Sequence, residues 1–458
     1  MTEVTEADWA VLARSAGEVV LPHSARYEAL RRPVDPRFHH VRPLAVVRCA
    51  STAAVAETIA FVRRAGLPAV LRGGGHDFAG RSTTAGVVID MTALSAVSVA
   101  DGAARVGAGA NLAQVYDALA GHGRTVPAGC GPSVGIAGLT LGGGLGVLGR
   151  LHGLTCDRLR AAEVVLADGR VVTCDERTHA DLFWALRGGT GRFGAVTALT
   201  FATVPAPAMV SFRLTWPHRC AVALVEAWQA WAPAAPDGLA ASLHLTVPAD
   251  PATPPSASVV GTMVGPPSAA AAVLGDCIAR VGAAPTSDER RAASHRETKR
   301  LLAGDGPDRA GAYTFRRSGF VAEPLPRAAI VALTRHLTAR RRPGQARMLD
   351  LMPMGGAYNR VPAGATAFVH RAERFLLQHL TTADPRDSAA ARRWLHGSHR
   401  LAAGCRSGGV YQNFPDPDLP DGAQAYFGAN LHRLRQVKST YDPGGCFGAL
   451  DPNEGDGS

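Results

Sequence analysis

A histidine and a cysteine, each beside a run of glycines, are the residues of this chain whose types and spacing can do chemistry. His76 closes the run Arg72-Gly73-Gly74-Gly75-His76, and Asp77 follows it. Cys130 lies in Gly129-Cys130-Gly131-Pro132, ahead of Val134-Gly135 and the stretch Gly138-Leu139-Thr140-Leu141-Gly142-Gly143-Gly144-Leu145-Gly146. Glycine lets backbone approach a phosphate or a flat ring with no side chain between them. Successive glycine N–H groups also form concave anion sites. A thiolate is a nucleophile toward an electron-poor ring, and an imidazole nitrogen can add to an activated methylene. One flat, phosphate-bearing cofactor attached through both side chains would account for the pairing. Each motif also has a plainer reading on its own: a tight loop with a surface histidine, a close-packed loop under a strand, and a cysteine serving as a small buried hydrophobe. The first loop is not a Walker A loop, since no Gly-Lys-Ser/Thr follows, and no Gly-x-Gly-x-x-Gly opens a helix there.

The flanking elements must hold these loops. Residues 45–49 and 68–72 read as short apolar strands, the second ending at the triple glycine. Between them Ser51 or Thr52 can cap a helix over 53–66 that buries Val55, Ile59, Phe61 and Val62. Further strands are expected at 86–90, 97–99, 104–109 and 194–201, with helices at 111–121 and 181–186. Residues 162–173 read as a hairpin turning at Asp168-Gly169. Strand and helix alternating at short spacing argue for α/β packing. After Pro205-Ala206-Pro207 the segments 209–214, 239–247 and 256–264 alternate like antiparallel strands, and helices fit 219–232 and 269–281. Residues 1–42 read as a helical lead-in, and the tail from 404 is again rich in glycine and turns.

Composition narrows the function classes. A chain of 458 residues is too long for one core. With 47% hydrophobic and 19% charged residues it has an ordinary soluble composition. The net charge is +10, yet only two lysines occur, Lys299 and Lys438, and the arginines are dispersed. The densest basic run, Arg340-Arg341-Arg342, fits a solvated helix end, so no nucleic-acid partner is expected. No window of about 18 uninterrupted apolar residues is present, so no membrane partner is expected either. The first twenty residues lack a basic start followed by an apolar run, which argues against a Sec-type signal and for a cytoplasmic location. Eight scattered cysteines do not form a disulfide framework, and without a CxxC pair a thiolate zinc site is unsupported.

Four segments, 72–77, 129–157, 186–197 and 411–447, occur in an order that resembles the berberine-bridge-enzyme-like flavoprotein oxidases of the vanillyl-alcohol-oxidase superfamily. The resemblance covers most of the chain and is weakest over 206–345. It implies a PCMH-type FAD-binding domain and a covalent FAD, with His76 joined to the flavin 8α-methyl. Gly129-Cys130-Gly131 followed by Val134-Gly135 matches the doubly linked subset, in which the cysteine joins flavin carbon 6. The cofactor positions it implies from the first loop are Arg72, Gly73, Gly74, Gly75, Asp77 and Gly80. From the second loop they are Gly129, Val134, Gly135, Gly138, Gly142, Gly143, Gly146 and Asp157. Gly194, Val196 and Asn413 complete the set. Two tethers are expected to fix the ring and raise its reduction potential.

The resemblance also implies a base. Tyr411-Gln412-Asn413-Phe414 matches the family's Tyr-x-Asn element, whose tyrosine deprotonates the substrate hydroxyl. A free tyrosine has a pKa of about 10, so it needs help to act near neutrality. Some relatives use a glutamate on an adjacent strand; here that strand is expected over 367–378, and the position holds Gln378, which cannot accept the proton. His152 falls where many relatives place a tyrosine near the substrate, and either aids the base or packs. Two departures stand out. Thr190 and Arg192 replace a glycine and an asparagine in Arg187–Gly194, which bears on access to the flavin. In Tyr441–Phe447 a glycine stands where asparagine is common.

The expected fold is α+β: a PCMH-type FAD domain of two α/β subdomains over 1–205, a substrate domain with a helix-covered antiparallel sheet over 206–403, and a segment 404–458 returning to the first domain. The ring is expected at the domain interface, where ligand sites commonly form. The expected activity is oxidation of an alcohol or hemiacetal carbon of a small-molecule secondary metabolite or glycoside, with dioxygen as electron acceptor and hydrogen peroxide as product. The rivals are an oligosaccharide oxidase, oxidative cyclisation or desaturation on the same flavin, and flavin binding without turnover. The sequence assigns no oligomeric state.

Overall fold

A computed structural model describes residues 4–303 and 311–450; residues 1–3 of the lead-in and 451–458 of the tail lie outside the described residues. The fold is α+β. The first glycine loop sits at the end of a four-stranded sheet ordered Glu18–Val20, Ala45–Arg48, Val87–Asp90, Ala69–Arg72. The last three strands are mutually parallel, so the triple glycine emerges at their carboxyl ends. That is the edge where ligands bind in open α/β sheets. The connecting helix runs Thr52–Ala65; the Ser51 hydroxyl accepts from Ala54 N, and left-handed Gly66 ends it. Its buried face is Ala54, Val55, Thr58, Ile59 and Val62. Phe61, expected inside, is only half-buried, because it packs on Trp9 of the lead-in helix Glu6–Ala16. The three-residue strand Glu18–Val20 was not expected, being too short to show a period.

The second sheet is antiparallel, ordered Val97–Ala100, Ala103–Gly107, Ala195–Ala202, Leu159–Val165, Val171–Asp175. Its hairpin turns at Asp168-Gly169, where Gly169 takes a φ of +87°. The stretch 138–146 is not a loop throughout. Ile136–Leu141 forms a helix, because Ile136, Ala137, Thr140 and Leu141 fall on one buried face. Only then does the chain loop, through Gly143 and Gly144 at φ +114° and +89°.

The third sheet has seven antiparallel strands: Ser287–Ser294, Ala208–Pro217, Ser256–Val264, Leu239–Val247, Ala346–Pro353, Phe375–Ala383, Tyr313–Val321. One face buries Trp216, Leu243, Leu351 and Phe375 against the helices Ala221–Trp231, Pro267–Val281, Arg327–Thr338 and Ser388–Leu401. The opposite face turns Leu376 and Phe320 toward Leu154, Tyr358 and Tyr411. The strand expected over 367–378 begins only at Phe375. Residues 367–374 are irregular because their polar groups are engaged sideways: Arg371 holds Asp157, and Arg374 donates to Gln229 O. From the tail, Val410, Tyr426, Phe427 and Leu434 share a core with Phe183, Phe193 and Phe201. Among the described residues no helix is long and apolar enough to cross a membrane.

Candidate FAD site

The two glycine loops interlock. Ala113 N donates to Pro132 O and Leu112 N to Val134 O, which moors residues 132–134 on the helix Leu112–Ala120. Ile136 N donates to Ala110 O. The backbones of Gly74 and Gly135 then meet so closely that a Cβ on Gly74 would lie 2.4 Å from Gly135 N and 2.7 Å from Ser133 O. This contact is what brings the histidine loop onto the cysteine loop. His76 Nε2 lies 2.9 Å from Ser133 Oγ, so a residue of the cysteine loop orients the imidazole. Gly74→Ala is expected to destabilise the protein by about 1–3 kcal/mol, since backbone on both sides resists the methyl. Bound flavin per chain and the unfolding midpoint measure it; unchanged values for both would show that the contact is not tight.

Between the loops and the large sheet lies a cavity of about 1560 Å³. Ordinary small-molecule sites are roughly 300–1,000 Å³, so this one has room for a large cofactor together with a substrate. Residues 72–77 form one wall, and Gly129, Cys130, Val134 and Gly135 the next. Gly138, Gly142 and Gly146 line the cavity as well, with Gly194 and Val196, Tyr411 and Asn413. Arg72 belongs to the wall, but its guanidinium turns inward, donating to Asp90 Oδ2 at 2.7 Å and to the carbonyls of Leu30 and Arg31. It braces the loop rather than meeting a phosphate.

Five expected residues stand off the wall. Gly80 packs on Phe38, and Gly143 on Phe368; a Cβ on either would collide with the ring. Asp157 is a structural anion, paired with Arg371 and accepting from Leu154 N. His152 ends the short helix Gly149–His152, where burial and the Arg158 charge hold its pKa below the usual histidine value. Gln378 is buried in mid-strand, with its Nε2 lacking a hydrogen-bond partner among the described residues.

The donors around the cavity suit FAD. A Cβ on Gly138 would meet nothing within 4 Å, so the missing side chain leaves open space for a flat ring. Gly142 has no Cβ because Asn413 Oδ1 occupies that place, at 2.1 Å. Arg81 Nη2, Ser82 Oγ and Thr190 Oγ1 line the cavity, buried without a hydrogen-bond partner among the described residues, while Arg81 Nε pairs with Asp77 at 3.5 Å. Each such orphan costs about 1–3 kcal/mol unless a ligand satisfies it. A guanidinium, a hydroxyl and glycine N–H groups together are the donor set for a pyrophosphate. Thr190 holds a φ of +66°, a conformation that explains why glycine suits that position. Arg192 donates to Phe447 O, and the Lys438 ammonium bonds Arg192 O and Gly448 O, tying this loop to the terminal turn.

Tyr411 brings a buried phenol to the cavity lining. Its phenol oxygen accepts from Gly144 N at 3.1 Å, Leu145 N at 3.0 Å and Asn413 Nδ2 at 3.0 Å. Three N–H donors on one phenol oxygen favour the phenolate, as an oxyanion hole favours its anion. Burial works the other way and dominates, pushing the pKa up to about 12. The ring is clamped edge-on by Phe414, Phe368 and Phe320, with centroids 5.0, 6.2 and 6.4 Å away. Tyr358 locks the glycine loop, donating to Gly146 O at 2.8 Å and accepting from Gly146 N at 3.0 Å. Neither Tyr358 nor Ser133 carries a motif that would have found it. Lys299, which reaches Cys130, had one signal, its rarity in an arginine-rich chain.

Comparison with known proteins agrees with this geometry. The family described as FAD binding domain matches residues 43–175, and the one described as berberine and berberine like matches residues 410–450. YgaK of Bacillus subtilis (strain 168), described as an uncharacterized FAD-linked oxidoreductase, is 32% identical over 441 residues, spanning 94% of this chain and 95% of that protein. The structure of Physcomitrella patens BBE-like 1 superposes with a TM-score of 0.87 at 25% identity, covering 98% of this chain and 99% of the other. A glucooligosaccharide oxidase from Acremonium strictum, whose cofactor is described as 6-S-cysteinyl, 8α-N1-histidyl FAD, superposes with a TM-score of 0.86 at 25% identity over 97% of this chain and 98% of its own. An FAD-binding domain matched by sequence, a berberine-like segment that delivers Tyr411, and full-length likeness to an FAD-linked relative place the chain in one family: it belongs to the berberine-bridge-enzyme-like FAD-linked oxidoreductases.

Proposed function

We propose that this protein is an oxidase of hydroxylated small molecules, acting at an alcohol or hemiacetal carbon, with dioxygen as second substrate and hydrogen peroxide as co-product. The observation that carries the reading is the Tyr411 phenol, fixed by three N–H donors in the cavity that His76 and Cys130 also line. FAD, when bound, would supply the acceptor for a hydride, which carries the two electrons of the oxidation. Tyr411 Oη takes the proton of the substrate hydroxyl, and Gly144 N, Leu145 N and Asn413 Nδ2 stabilise the oxygen while it does so. His76 and Cys130 hold the cofactor covalently, and Arg81, Ser82 and the glycine N–H groups hold its phosphates.

The sheet face toward the cavity favours a polyhydroxylated substrate. Thr215, Ser258, His244, Asp350, Gln378 and Ser318 lie in direct register across six strands. Residues two apart share a face, so this row shares the side of Leu376 and Phe320. His244 lines the cavity, and its Nε2 sits 3.4 Å from Asp350 Oδ1, near yet misaligned for a hydrogen bond. Gln378 Nε2 and Ser318 Oγ are likewise buried without partners among the described residues. His244, the member of this row that lines the cavity, can meet a sugar hydroxyl, and the likeness to a glucooligosaccharide oxidase supports the same class.

Two measurements test the proposal. Acid-denatured wild type and each of His76→Ala and Cys130→Ala are expected to keep flavin by intact mass, and the double variant to release it. Flavin freed from Cys130→Ala would remove His76 as a linkage site. A peroxide-coupled screen of oligosaccharides against aglycone alcohols is expected to favour the sugars. A product two hydrogens lighter with no new carbonyl would instead identify cyclisation or desaturation.

A further inference from the structure

Lys299 is the feature of the molecule that the proposed oxidation does not use. It lies on the helix His295–Leu302, which follows the edge strand of the seven-stranded sheet, yet its ammonium ends beside Cys130 of the other part of the fold. The ammonium donates to Ala128 O at 2.6 Å, to Gly129 O at 3.1 Å and to Cys130 Sγ at 3.8 Å. It also stands over the Tyr116 ring, 4.9 Å from the centroid. Ser294 caps this helix through a capping box with Glu297, and Arg296 pairs with Asp117 of the helix Leu112–Ala120. The helix is therefore clamped with Lys299 inward.

The surroundings of the ammonium leave the sulfur as its counter-charge. Among the described residues no carboxylate lies within ion-pair distance of Lys299, which is 4% exposed. The other titratable neighbours are Tyr116, whose phenol donates to Gly129 O, and His295, stacked edge-on to Tyr116. Burial and the Lys299 charge hold His295 down at about 3, so it stays neutral and adds no second cation. Asp117, Arg296 and Arg300 sit at the helix surface. Burial depresses the Lys299 pKa, and contact with Cys130 opposes that depression.

We propose that Lys299 is the residue that activates Cys130 for thioether formation with the flavin, by holding negative charge on Sγ as the sulfur attacks. This rests on the reading of Cys130 as the second cofactor link. In the net step the thiol S–H and a ring C–H are broken and an S–C bond forms. The two electrons and two protons released pass to dioxygen and give hydrogen peroxide. Lys299 is a positioning residue here, acting on the sulfur and touching no substrate. Because it comes from the sheet domain, the cysteinyl link also waits for that domain to dock.

The test follows link formation rather than turnover. Wild type, Lys299→Met, Lys299→Gln and Lys299→Arg are produced under riboflavin depletion and then given FAD in air. The fraction of the Cys130 peptide carrying flavin is followed by mass spectrometry at pH 7 and pH 9. Lys299→Met and Lys299→Gln are expected to link about tenfold or more slowly than wild type at pH 7 and to recover toward it at pH 9, where solvent base supplies the thiolate. Lys299→Arg keeps the charge and is expected to stay near wild type. Lys299→Gln retains a donor for the Ala128 and Gly129 carbonyls, so it separates charge from local structure. Linking at the wild-type rate in Lys299→Gln at pH 7, or equal slowness at both pH values, would overturn the role. A wild-type Cys130 peptide free of flavin beside a flavin-bearing His76 peptide would overturn the second link itself.

Discussion

Tyr411→Phe is expected to slow substrate oxidation by about 10²–10⁴-fold, with flavin content unchanged. The substitution removes one oxygen and leaves the ring between Phe414, Phe368 and Phe320. It also leaves Gly144 N, Leu145 N and Asn413 Nδ2 without that acceptor, which costs stability by about 1–3 kcal/mol. Flavin per chain is therefore measured beside the rate. The pH profile identifies the group. The phenol's pKa is raised to about 12 from the ordinary 10, mainly by burial. The proton-accepting form is the phenolate, so its population, and the rate, rise with pH by about tenfold per unit below that pKa. Stability runs the other way: the fold favours the neutral phenol, and this contribution, complete below pH 10, is lost as pH rises through about 12. Anaerobic single-turnover rates over pH 7–9 read the slope. A Tyr411→Phe variant that reduces its flavin at the wild-type rate, or keeps the slope, would exclude this tyrosine as the base.

What the sequence revealed follows from how far each feature depends on distant partners. The glycine loops were legible because their physics is local: a loop that lets backbone touch backbone, as Gly74 does Gly135, must be written in glycine. The strands Leu239–Val247 and Ser256–Val264 were legible because nine residues are long enough to show their character; both read as alternating, which Leu239–Val247 is in its burial, whereas Ser256–Val264 is buried along its whole middle. The helix Ile136–Leu141 was not, since six residues among glycines carry too little of a 3.6-residue period. The polar row through His244, Asp350 and Gln378 was invisible for another reason. It exists only through strand register, which joins His244 to Asp350, 106 positions on, and Asp350 to Gln378, a further 28 on. Lys299 and Cys130 are separated by 169 positions and Arg371 and Asp157 by 214, so no window of sequence contains either pair.

That last pair supplies the largest expected loss of stability. Arg371 grips Asp157 with both terminal nitrogens, at 2.9 and 2.7 Å, and the two side chains are 3% and 8% exposed. The same guanidinium reaches Tyr358 O, Thr366 Oγ1 and Phe368 O and lies over the Phe368 ring. Asp157 meanwhile accepts from Leu154 N at the turn after the glycine loop. The pair thus fixes the irregular segment 367–374 to the base of the cavity, and Phe368 to the flank of Tyr411. Asp157→Asn leaves a guanidinium buried without its anion, and breaking a buried pair from one side costs about 3–5 kcal/mol. Arg371→Met is expected to cost as much, because it strands the carboxylate. Asp157→Asn with Arg371→Met removes both charges, so its loss should fall well short of the sum of the two single losses. Thermal unfolding of the four proteins, each loaded with FAD, measures the cycle. Strict additivity would mean that the two side chains do not interact, and that Phe368 and Tyr411 are positioned by the aromatic cluster alone.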